Sequence, residues 1–226
     1  MKNMKKACSI MLIVIVFCGI MAVVDGIFMA DYFIKSVIKL VLFIGTPFLY
    51  SLIDKDIRLI ELFKPNKKGI KTAIFLCVPV YIIIVGGYFL LKDVFDFSNI
   101  TVSLTENIGV TGKNFIYVSI YISFVNSLLE EFFFRGFAFL SLKTVISTKI
   151  AYVFSSAIFA LYHIAFMIGW FPPVAFILVM AGLFVGGMCF NYLNSKSGNI
   201  YTSWFVHMFA NFAINTVGFI LFAIAK

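Results

Sequence analysis

Long apolar runs alternate with short charged or turn-rich breaks along the whole chain. The runs cover residues 7–29, 33–53, 72–91, 115–142, 150–170, 173–193 and 199–225. Each is close to the roughly 20 residues that an α-helix needs to cross a bilayer. The pattern predicts an all-α fold: a polytopic transmembrane helix bundle of seven spanning helices, or eight. The second run has Asp31, Lys35 and Lys39 in its first turns. Its start is expected to be interfacial, with the lysines snorkelling to the headgroups. After it comes "DKDIRLIELFKPNKKGIK", apolar at 57, 59, 60, 62 and 63, a spacing that suits a short amphipathic helix on the membrane surface. Residues 93–114 are polar and rich in turn formers and read as a loop. The N-terminus has a basic start and an apolar core, as a signal peptide does. Its long apolar stretch lacks an A-x-A cleavage pattern, so a retained first helix is expected.

Composition sharpens this picture. Of 226 residues, 62% are hydrophobic and 12% charged, against about 25% charged in soluble domains. So apolar a chain cannot cover a water-soluble globule, and an integral membrane protein follows. The net charge of +8 does not point to nucleic acid, because the lysines fall in breaks between apolar runs. With the N-terminus inside, twelve basic residues lie in cytoplasmic segments, and Lys92, Lys113 and Lys226 lie outside. The positive-inside rule therefore predicts a cytoplasmic N-terminus. Cys8, Cys18, Cys77 and Cys189 lie in apolar runs without CxxC spacing and read as buried hydrophobes. Gly182 and Gly186, followed by Gly187, form a GxxxG pattern that predicts close helix packing.

Against this background the fourth run stands out, because "LLEEFFFRGF" sets Glu130, Glu131 and Arg135 among leucines and phenylalanines. Each ionisable residue at a span centre costs about 2.5–3.5 kcal/mol on insertion scales. Glu131 and Arg135 are four residues apart on one helix face, the favourable order for an ion pair. Glu130 is rotated about 100° away, on the side of Ser123, Asn126 and Ser127. Both histidines also lie inside runs, and His207 shares a face with Asn211. At 1.5 Å per residue, Glu130 and His163 lie about 20 and 21 Å from the inner ends of their helices, His207 about 12 Å and Asn211 about 18 Å. Taken singly, each reads as a hydrogen-bonded core residue or interhelical glue. Together in one layer they point to a functional site.

Three segments carry a family resemblance. "EEFFFRG" matches the EExxxR motif, "FALYH" (Phe159–His163) the FxxxH motif and "HMFAN" (His207–Asn211) the HxxxN motif of the CPBP family, the CAAX prenyl protease and bacteriocin-processing (Abi) proteins. Order, spacing and helical setting agree over residues 115 to about 215. The resemblance divides the chain into N-terminal transmembrane helices with a basic amphipathic segment and an outer loop (1–114) and a CPBP-type protease core (115–226). It implies an intramembrane endopeptidase in which Glu130 and His163 activate a water. His207 and Asn211 would form the oxyanion hole, and Glu131 and Arg135 would support the site. A glutamate kept from bulk water suits a general base, and oxyanion donors contribute about 3–4 kcal/mol each.

The family is often classed with metalloproteases, and Glu130, His163 and His207 would make a His₂Glu zinc set. No HExxH is present, and such a set would consume the evident base, so a metal-free glutamate mechanism is favoured, with zinc as the alternative. The expected partners are a peptide or membrane-protein substrate, lipidated or not, and the bilayer, with no nucleic acid. A bacterial cell membrane is expected, and bacterial relatives are linked to bacteriocin maturation and self-immunity. Two competing readings are a non-proteolytic immunity or scaffold protein and a small proton-coupled transporter.

Overall fold

The computed structural model describes residues 2–28 and 30–224, so Lys226 and the expected end of the first span at Met29 lie outside the described residues. The fold is all-helical. Among the described residues there are eight helices: α1 (Lys2–Gly26), α2 (Tyr32–Ile53), α3 (Lys67–Leu91), α4 (Ser98–Ile108), α5 (Phe115–Leu140), α6 (Thr148–Met167), α7 (Pro173–Ser197) and α8 (Tyr201–Ile224). All but α4 are long and apolar enough to cross a membrane.

Local chemistry sets the boundaries. Asp31 caps α2 by accepting from the Phe33 and Ile34 amides at 2.9 Å. Asn66 caps α3 by accepting from the Gly69 amide, and Ser147 caps α6 through the Ile150 amide. These are the side chains whose short oxygens satisfy orphan N–H groups at a helix start. Pro173 begins α7 and Gly198, at φ +72°, ends it, as the asymmetry of helix ends favours.

Because the spans are apolar on every side, only packing separates core from lipid face. In α1 the buried positions Ala7, Ile10, Val14, Cys18 and Met21 recur every three or four residues, one helical stripe. That stripe joins Phe43 of α2 and Phe132, Phe133, Phe134, Phe137 and Phe139 of α5 in one apolar cluster. Phe43 and Phe133 stack at 4.0 Å between centroids. Large apolar side chains are left facing outward: Ile53 is 84% and Leu90 80% exposed. The helices pair extensively as α3 with α8 and α6 with α7. Within the second pair, Asn191 of α7 donates to Ser156 Oγ at 3.1 Å and accepts from Ser155. Interhelical polar bonds of this kind hold helices together where lipid offers no hydrophobic drive.

Four expectations change. Residues 93–114 contain α4, which forms because Thr101, Leu104 and Ile108 face inward, the last two packing beside Phe115 and Phe222. The expected short amphipathic helix is a single 3₁₀ stretch (Leu59–Phe63), and it turns Leu59 and Leu62 into the protein. Leu62 reaches inward until a Cβ on Gly136 would lie 2.7 Å from its Cδ1. Of the four thiols, Cys18 and Cys77 are buried, whereas Cys8 and Cys189 are exposed. Finally, Gly182 and Gly186 face open space, and close packing falls to Gly187, whose added Cβ would meet the Ser156 backbone at 3.1 Å.

That contrast gives an internal control. Gly187→Leu should destabilise the protein by about 1–3 kcal/mol through overpacking, whereas Gly182→Leu should leave the melting temperature in detergent unchanged or slightly raised. Equal effects of the two substitutions would contradict the packing described.

A buried candidate active site around two adjacent glutamates

The helix carrying the glutamates is irregular. Ile122–Asn126 and Glu131–Leu140 of α5 are π-helical, and so is Val41–Gly45 of α2. π-Helical turns are rare, mostly single-turn bulges, and cluster at functional sites. The longer π segment begins at Glu131, so the chain widens between the two glutamates. Their side chains serve different neighbours.

Glu130 is 3% and Glu131 0% exposed. Lys39 of α2 donates to Glu130 Oε1 at 2.9 Å, and Asn126 Nδ2 donates to the same oxygen at 2.9 Å. The other oxygen, Oε2, lies 3.8 Å from His207 Nε2. Glu131 turns instead to α8. Its Oε2 accepts from the Ser203 hydroxyl in a short bond, and its Oε1 lies 2.9 Å from His207 Nδ1. A carboxylate can only accept, so Nδ1 carries a proton and Nε2 faces Glu130.

Arg135 is the expected partner of Glu131, but the contact is loose, 3.6 Å from Nη1 to Oε1. No hydrogen bond reaches its three side-chain nitrogens among the described residues. The guanidinium lies over the Phe159 ring, 3.9 Å from its centroid, and 5.1 Å from that of Phe190. A cation over an aromatic face gains electrostatic stabilisation that grows with desolvation. The brace expected between Glu131 and Arg135 is therefore a four-part assembly with Ser203 and His207.

Phe159 is the hub of this assembly. Its carbonyl accepts from His163 Nδ1 at 2.7 Å, and its ring centroid is 4.8 Å from that of His163 and 6.1 Å from that of His207. Since a carbonyl cannot donate, neutral His163 keeps its proton on Nδ1 and leaves Nε2 as an acceptor. Asn211 lies one turn along α8 from His207 and donates to the Ile122 carbonyl at 3.1 Å, where the first π segment begins. It makes no direct hydrogen bond to Glu130, His163 or His207. Of the serines beside Glu130, Ser127 accepts from Trp204 at 3.0 Å and Ser123 from Asn215 at 3.0 Å, so both tie α5 to α8.

The sequence reading missed Lys39. It does not snorkel: it is 8% exposed and bridges Glu130 and Asn126, while Lys35 pairs with Asp25 at 3.2 Å. A signal was available, because Lys39 lies about 21 Å from the C-terminal end of α2 at 1.5 Å per residue, which matches the depths read for Glu130 and His163. As arranged, Glu130, His163 and His207 do not fit a divalent cation, since Oε1 already faces an ammonium. Among the described residues, no three His, Cys, Asp or Glu side chains are grouped to hold a metal.

With this geometry established, comparison with known proteins adds one match. A family model described as type II CAAX prenyl endopeptidase Rce1-like matches residues 112–213. The match supports the CPBP/CAAX protease family. It spans all three motif segments, from α5 to α8, and with the seven apolar helices it supports a CAAX-type protease in a membrane. No curated protein and no solved structure matches the chain. The match leaves α1, α2, α3 and α4 outside its bounds, although α2 supplies Lys39.

The two carboxyl-group environments predict an asymmetry. Glu131→Gln leaves Arg135 as a buried cation without its counter-ion and should cost about 3–5 kcal/mol. Arg135→Met leaves Glu131 bonded to Ser203 and His207 and should cost clearly less. Thermal unfolding of both variants in one detergent checks the order, and a larger loss for Arg135→Met would refute it.

Proposed function

We propose that this chain is an intramembrane endopeptidase that hydrolyses a peptide bond with a water activated by Glu130. The observation that carries the reading is the facing of Glu130 Oε2 and His207 Nε2 at 3.8 Å inside a buried polar layer. That separation is too long for a direct hydrogen bond and leaves both atoms free to engage a water. Glu130 Oε2 takes a proton from the water as its oxygen attacks the carbonyl carbon. His163, with Nε2 free to accept, shares that proton and returns it to the leaving amine. His207 and Asn211 donate to the developing oxyanion, where such donors contribute about 3–4 kcal/mol each. Because Nδ1 of His207 already donates to Glu131, Nε2 can donate only from the imidazolium, which Glu131 neutralises.

Burial sharpens each of these interactions, since a water-poor site screens charge weakly. The reading is metal-free: Lys39 supplies the positive charge beside Glu130 that a metal would otherwise bring. The substrate class follows the family, a peptide ending in a lipidated cysteine motif or a related membrane peptide. The N-terminus lies in the cytoplasm of a bacterial cell, and substrate reaches the site from that side or within the bilayer.

Two experiments test this. Purified protein in nanodiscs should cleave an internally quenched prenylated CAAX peptide while elemental analysis finds no stoichiometric zinc. Glu130→Gln and His163→Ala should each lower kcat by about 10²–10⁴-fold, as loss of an acid–base group does. Wild-type cleavage by folded Glu130→Gln would instead favour a scaffold, and proton-coupled flux in liposomes a transporter. For orientation, single cysteines placed at Lys68 and Asn99 in a cysteine-free background are treated with an impermeant maleimide on intact cells. Labelling at 99 but not at 68 is expected, and the reverse would invert the topology.

A further inference from the structure

Lys39 lies outside the residues matched by the family, on a helix whose Phe33, Val37, Leu40 and Val41 face lipid. A lysine in such a helix ordinarily extends toward the headgroups. This one turns inward. Its ammonium donates to Asn126 Oδ1 at 2.6 Å and to Glu130 Oε1 at 2.9 Å, and lies 4.9 Å from the Tyr162 ring centroid. Removing an ammonium from water costs several kcal/mol even after relaxation, so the placement calls for a return. Helix docking alone is a weak reason, since Phe43 stacked on Phe133 and Lys35 paired with Asp25 already fasten α2.

The geometry around the carboxylate gives a better one. Glu130 Oε1 receives both donors, Lys39 Nζ and Asn126 Nδ2, whereas Oε2 faces His207. Asn126 accepts from Lys39 through its oxygen and donates to Glu130 through its nitrogen, so the three side chains close a ring. A carboxylate held by two donors on one oxygen cannot rotate to exchange its oxygens without breaking both bonds. The π-helical turn at Val41–Gly45 begins two residues after Lys39, where α2 meets α5.

We propose that Lys39 is a positioning residue: with Asn126 it fixes Oε1 of Glu130, so that Oε2 is the oxygen presented to the attacking water. The proposal rests on the reading of Glu130 as the base. It makes α2 part of the catalytic apparatus.

The test uses full-length protein in nanodiscs and the quenched prenylated CAAX peptide. Lys39→Met and Lys39→Gln should lower kcat about a hundredfold, the scale of a misplaced reacting group, with KM little changed. The double variant Lys39→Met/Asn126→Lys moves the ammonium to α5, four residues before Glu130, and so restores charge without any link to α2. It should recover roughly tenfold or more of the lost kcat. A role limited to docking α2 predicts no recovery, and that result overturns the proposal. So does wild-type kcat in either folded single variant while Glu130→Gln is inert. If Glu130→Gln cleaves like wild type, the reading of Glu130 as base falls first and the proposal with it. Should Lys39→Met fail to fold, Lys39→Gln and the double variant carry the same decision.

Discussion

Burying charge in a medium that cannot solvate it is the constraint on which the rest of this structure depends. Glu130, Glu131, Arg135 and Lys39 are all less than a tenth exposed, in a protein whose outer surface is built for lipid. Each carboxylate must find its compensation among other helices or not be tolerated at all. Glu130 finds it on α2, and Glu131 on α8 through Ser203 and His207. The adjacent acids thereby act as a joint between separate parts of the bundle. Nets of this kind tie helices together in a set geometry while leaving one carboxylate oxygen free.

Backbone geometry makes the divergence possible. The π-helical segments Val41–Gly45, Ile122–Asn126 and Glu131–Leu140 lie around the site, and the longest starts at Glu131. Such turns are poor in isolation and persist where tertiary contacts over-determine them. Here the phenylalanines of α5 fill the space, and Phe43 stacks against Phe133. Phe159 adds a second kind of support, with its ring under Arg135 and its carbonyl on His163. The aromatic wall therefore supplies dryness, a cation–π face and a fixed histidine tautomer at once.

Much of the fold was legible because membrane spans announce themselves by length. The seven apolar runs became seven helices, and helical rise alone put Glu130, His163, His207 and Asn211 in one expected layer. What escaped has identifiable causes. Helix α4 mixes polar and apolar residues without a long apolar run, and its Leu104 and Ile108 pack beside Phe115 and Phe222. Gly182 and Gly186 have the expected spacing, yet the partner helix lies against Gly187. Lys39 was read by its usual habit, although its depth matched that of Glu130.

The sequence by itself determined that this is a bundle of membrane helices with an acidic–histidine layer, because hydrophobic length and the rarity of buried charge are local properties. It also determined the motif set that the family match spans. Only the tertiary structure decided who neutralises whom. That Glu130 belongs to Lys39 and Glu131 to Ser203 and His207 depends on which faces of α2, α5 and α8 meet, and on π turns that no residue pattern specifies. Counter-ions within a membrane are chosen by proximity across helices, and proximity is a property of the packed fold.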